Sequence, residues 1–114
     1  MRKDGGAIGS GNLFAEIPER LAQEQFTELF STPNLKIERI VSRGQASPPG
    51  FWYDQDRAEW FVVLAGSADL LLDGETVPRV LRLGDYLHIP PHVRHRVEWT
   101  ADDEATVWLA VHGG

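Results

Sequence analysis

The stretch from Gly84 to Trp99, GDYLHIPPHVRHRVEW, decides the fold. Gly84-Asp85 is a turn signal, and the short apolar run after it stops at Pro90-Pro91. A strand of four or so residues fits between them. The chain then alternates: His95, Val97 and Trp99 fall on one face, Arg94, Arg96 and Glu98 on the other. A period of two residues is the mark of a half-buried strand. His95 therefore sits on a face that should be buried.

The same grammar extends in both directions. EWFVVLAG (59–66) is a continuous apolar run, as in a strand covered on both faces. SADLLLDGE (67–75) puts Ala68, Leu70 and Leu72 together and ends in Asp73-Gly74, a hairpin signal. VPRVLRLGD (77–85) and ATVWLAV (105–111) add two more strands, and LKIERIVS (35–42) alternates weakly. Short strands at such intervals, separated by Gly or Pro turns, predict an all-β sandwich or barrel. One short N-terminal helix is expected. Pro18 suits its start, Phe26, Leu29 and Phe30 form a stripe, and Ser31-Thr32-Pro33 ends it. Residues 1–12, Gly-rich and aperiodic, read as a flexible tail, and residues 13–114 as a single domain.

Composition narrows the function. The chain has 114 residues, no cysteine and a formal net charge of −6. No disulfide or thiol chemistry is available. A nucleic-acid partner would call for a clustered basic face, which is missing. No run approaches the ~18 apolar residues of a membrane span, and the N-terminus lacks the apolar core of a secretory signal. A cytoplasmic location is the expectation.

The side chains that carry chemistry cluster around GFWYDQDRAEW (50–60). Glu59 opens the apolar run in phase with Phe61 and Val63. It is either solvated at the strand mouth or buried, in which case it must be paired or coordinated. Asp54 and Gln55 lie just before it, with Trp52 and Tyr53 as aromatic neighbours. His95 is either a hydrogen-bonded core residue or a ligand. Imidazole with carboxylate is a common donor set for first-row divalent ions. His88 should face away from Leu87 and Ile89, although a short strand leaves its side open.

These residues resemble the cupin family. Gly84, Pro90 and His95 match the second cupin motif, G-x5-P-x-G-x2-H, with His92 where the second glycine usually stands. Glu59 and Gly66 match the end of the first motif, G-x5-H-x-H-x3,4-E-x6-G. Its two histidines are missing, and Trp52 and Asp54, or Tyr53 and Gln55, occupy their positions. The segment looks like that of small single-domain cupins carrying FWYDQ. The resemblance implies a cupin-type antiparallel β-barrel or jelly roll of six to eight strands. It also implies an interior site in which Glu59, His95 and Asp54 or Gln55 hold a divalent ion (Mn, Fe, Zn or Mg). The oxygen-rich donors favour the harder metals or leave the pocket metal-free.

Two readings of function follow. In one, a metal-dependent isomerase, epimerase or dioxygenase acts on a small polar metabolite, and Tyr53 or His88 moves a proton. In the other, a module without metal binds a small ligand such as a sugar. Trp52 and Trp99 form its walls, and Arg94 or Arg96 steers an anionic group. Small cupins are often dimers, and the apolar Trp60, Val62 and Leu64 suit a homodimer.

Overall fold

The computed structural model describes residues 8–114, so residues 1–7 of the expected tail lie outside the described part. Eight strands follow in chain order: β1 (Gln25–Thr32), β2 (Leu35–Ser42), β3 (Ala58–Ala65), β4 (Ser67–Leu72), β5 (Arg79–Arg82), β6 (Tyr86–Ile89), β7 (His95–Thr100) and β8 (Thr106–Gly113). They form two antiparallel sheets, β1-β2-β8-β3-β6 and β5-β4-β7. The expected all-β architecture is present.

The inner faces of the two sheets share one core. Phe61, Val63, Trp108 and Ala110 come from the larger sheet, and Ala68, Leu70 and Leu81 from the smaller. The alternation read from residues 59–63 and 68–72 holds: Glu59, Phe61 and Val63 are buried together, as are Ala68 and Leu70.

The expected N-terminal helix is absent. Residues 25–32 form β1, an edge strand paired with β2. Its register slips between Glu28 and Phe30, leaving Leu29 as a bulge residue. A bulge interrupts the period of two. Apolar residues at 26, 29 and 30 then mimic the i, i+3, i+4 spacing of a helix, and pairing with β2 overrides the local signal. Residues before β1 run as an irregular strap held by side chains of β2 and the loop after it. Arg39 donates to the carbonyls of Leu13 and Ala15, Arg43 to Pro18, and Gln45 to Leu21.

A single residue, Gly66, carries the chain from β3 in one sheet to β4 in the other. Its φ is +79°, and a Cβ there would lie 2.6 Å from Thr106 Cα and 2.7 Å from the Ala105 carbonyl oxygen, as well as against Thr106 Oγ1. Thr106 Oγ1 fills that space, accepting from Ser67 N–H and donating to the Ser67 carbonyl. Left-handed backbone and overpacking each cost a side chain about 1–3 kcal/mol. Gly66→Ala is therefore expected to lose about 2–5 kcal/mol, read as a lowered urea midpoint with an unchanged slope. A midpoint within error of the wild type would contradict this account of the corner.

Candidate functional site

Backbone register builds the site. Lys36 of β2, His112 of β8, Glu59 of β3 and Ile89 of β6 lie in one row across the larger sheet, and Glu38 lies two residues further along β2 on the same inner face. Four titratable groups are buried there or on the facing sheet: Glu38, Glu59, His95 and His112. Burial of such groups demands partners. His112 Nε2 lies 3.0 Å from Glu38 Oε1 and 3.9 Å from Glu59 Oε2, and Glu59 Oε1 lies 3.5 Å from His95 Nε2. The four form a continuous polar array.

His95 is oriented from behind. Its Nδ1 lies 3.0 Å from the Val93 carbonyl oxygen, which can only accept, so Nδ1 bears the proton. In the neutral ring, Nε2 then turns a bare lone pair toward Glu59 and the cavity. The segment before β3 is tied to the same residue: Tyr53 N–H donates to His95 O at 2.7 Å, and His95 N–H donates to Tyr53 O at 3.1 Å. Paired residues share a face, and the two rings stack at 5.3 Å. Burial raises the Tyr53 phenol above its ordinary value, and the charges of Glu24, Glu59 and Glu38 push it the same way. It remains a hydroxyl donor through the neutral range.

These groups line a cavity of about 680 Å³ whose floor includes Phe61 and Trp108. Glu24, at the end of the strap, completes it. The Ser42 hydroxyl donates to Glu24 Oε2 and accepts from Trp108 Nε1–H at 3.2 Å. Burial holds the Glu24 carboxyl above the ordinary range, opposed by its Ser42 bond and aided by the charge of Glu38. Glu38 is shifted down, chiefly by the hydrogen bond from His112.

The other expected site residues are distributed unevenly. Gln55 lines the cavity, and its carbonyl accepts from His92 N–H at 2.7 Å. Asp54 lies at the exposed rim, 2.9 Å from His92 Nδ1. His92 has φ +65°, so it occupies a left-handed position where the cupin motif has glycine. Trp52 lies outside the cavity, flanked by the Arg94 and Arg96 guanidiniums at 5.3 and 5.8 Å. Trp99 also lies outside and is 47 % exposed. The register of β4 with β7 runs Asp69↔Trp99, then Leu70↔Val97. Glu98 is the extra residue of a bulge, and Trp99 is thrown to the face opposite Val97. His88 is exposed and pairs with Trp60 on the outer side of the larger sheet, remote from the cavity lining.

Sequence reasoning missed His112, Glu38 and Glu24. A signal existed for His112, which alternates in phase with Trp108 and Ala110, and for Glu38, which is in phase with Ile40. Glu24 lies in the irregular strap and left no periodic trace.

The donor set does not suit a resident metal. Among the described residues no group of three His, Cys, Asp or Glu side chains stands in metal-holding geometry. Glu59 and His95 offer two donors, and of the two expected third donors Gln55 lines the cavity while Asp54 is engaged by His92; His112 Nε2 is taken by Glu38. Catalytic metal sites ordinarily need three protein groups.

Comparison with known proteins agrees with the fold. Residues 40–112 match the family model described as Cupin domain. A Ralstonia eutropha JMP134 protein described as a "putative mannose-6-phosphate isomerase" is 57 % identical, with a TM-score of 0.89 over 91 % of this chain and 96 % of that one. A cupin superfamily protein of Desulfitobacterium hafniense DCB-2 is 17 % identical, with a TM-score of 0.69 over 85 % and 83 %. A Cupin 2 conserved barrel domain protein of Salinispora arenicola CNS-205 is 24 % identical, with a TM-score of 0.63 over 80 % and 76 %. The last two show likeness of fold alone. No curated protein matches the chain.

The opposed carboxyl shifts have a consequence for stability. Glu24, raised in the fold, contributes stability that is whole below its ordinary value of 4.5 and is lost as pH rises through its folded value. Glu38, lowered in the fold, contributes stability that is present above 4.5 and is lost on acidification through its own folded value. Glu24→Gln keeps an acceptor for Ser42 and removes only the first effect. The variant is expected to be more stable than wild type at neutral pH, with the gain vanishing toward pH 4, by denaturant midpoints at both pH values. A constant offset at the two would refute it.

Proposed function

The chain belongs to the cupin family, and from its pocket we infer that it is an isomerase that moves a proton between adjacent carbons of a small polyhydroxy carbonyl compound. The observation that carries this reading is the orientation of His95, whose Nδ1 is held by the Val93 carbonyl and whose Nε2 faces the cavity beside Glu59. A base so oriented takes a proton from the carbon next to a carbonyl. The Tyr53 hydroxyl, stacked on the same ring, donates to the carbonyl oxygen as negative charge develops there. His95 returns its proton to the neighbouring carbon, and the substrate hydroxyl passes its own back to Tyr53. No atom or electron is lost. The Glu38–His112 pair holds Glu59 in place from behind. The 57 % identity with a protein bearing an isomerase name supports the same class.

Metal is not assigned a role in this scheme, because beside Glu59 and His95 the lining adds only the amide of Gln55 as an expected third donor. Elemental analysis of untagged protein is expected to find well under one metal ion per chain. Near-stoichiometric metal that Glu59→Ala and His95→Ala both lose would reverse that assignment.

The reaction is tested in heavy water. Incubation with free hexoses and hexose phosphates should incorporate deuterium at the carbon beside the carbonyl, read by proton NMR. His95→Gln should slow exchange by about 100-fold or more, and Tyr53→Phe by less. No exchange with any sugar, by a protein that still binds them, would assign the pocket to ligand binding alone.

A further inference from the structure

The charge of the cavity bears on its occupant. Five carboxylates line it, Glu24, Glu38, Asp54, Asp56 and Glu59, against Lys36 and Arg57, with three histidines, of which His112 faces Glu38 and His92 faces Asp54. Both cations are engaged. Lys36 Nζ lies 3.5 Å from Glu38 Oε2, and the Arg57 guanidinium donates to the Pro33 carbonyl at 2.7 Å. The arginines expected to steer an anion do not reach the cavity. Arg94 donates to Asp73, and Arg96 donates to the carbonyls of Ser47, Pro48 and Phe51 while flanking Trp52. Among the described residues Arg57 is the one guanidinium in the lining, and one arm of its fork is already on the Pro33 carbonyl.

The same lining suits hydroxyl groups. Glu59 carries no hydrogen bond as close as that of Glu38 to His112, and its nearest partner, His95 Nε2, is an acceptor in the neutral ring. Both are open to a donor from the cavity. Phe61 and Trp108 supply the apolar surface against which the C–H face of a sugar ring packs.

We propose, building on the proton-transfer reading above, that the pocket selects an uncharged aldose or ketose over its phosphate ester. Like charges facing across a partly enclosed cavity repel more strongly than in bulk water, and the ester would bring two negative charges among carboxylates that outnumber the lysine and arginine of the lining. The selectivity is electrostatic, so added salt weakens it.

Calorimetric titration of the full chain with D-mannose and D-mannose 6-phosphate tests this at low salt. The free sugar is expected to bind at least about tenfold more tightly than the ester. Asp56→Lys, at an exposed position of the lining, should tighten the ester several-fold more than it changes binding of the free sugar. Molar salt should narrow the gap in the wild type. Tighter binding of the ester by wild type, or a ratio indifferent to both Asp56→Lys and salt, overturns the proposal. So does failure of the free sugar to bind at millimolar concentration. The isomerase reading is judged separately: a sugar that binds selectively without deuterium exchange refutes the reaction and leaves the selectivity standing.

Discussion

The site depends on one register. The backbone bonds joining β2 to β8 and β8 to β3 fix Lys36, His112 and Glu59 in a row, with Glu38 on the same inner face. Because a strand shows alternate residues to alternate sides, a slip of one position would send all of them outward. Held inside, the acids and imidazoles have no bulk water to satisfy them and must satisfy one another. The array from Glu38 to His95 is the result. Its spacing follows from geometry that the sheet imposes.

The facing sheet contributes through a different device. Tyr53 is not in a regular strand; one pair of backbone bonds sets it opposite His95 and aims both rings into the cavity. Two of the three departures from the cupin motifs meet nearby: Asp54, in the place of a lost histidine at the longer spacing, pairs with His92, in the place of a lost glycine. The left-handed backbone at His92 is disfavoured for any residue with a Cβ, by about 1 kcal/mol. The pair closes the rim of the pocket where other family members are expected to place metal ligands.

Much of this was legible in the sequence. Period-two alternation gave β4 and the start of β7, a continuous apolar run gave β3 although its outer face, at Trp60, is exposed, and the spacing of Glu59, Gly66, Gly84 and His95 pointed to the fold. The failures share a cause. Bulges at Leu29 and Glu98 break the alternation, so that β1 resembled a helix and Trp99 seemed to face inward. Long-range pairing hid the rest. Nothing near His112 announces Glu38, 74 positions away, and Glu24 reaches the cavity only because Arg39, Arg43 and Gln45 hold the strap before it.

That strap has an implication for how such a barrel acquires individuality. The family likeness covers residues 40–112, yet Glu24, Lys36 and Glu38 come earlier in the chain. Frame and furnishing thus overlap: the leading segment brings two strands of the larger sheet and with them three of the charged groups that tune the interior. A change there re-tunes the vessel through a wall that it also helps to build.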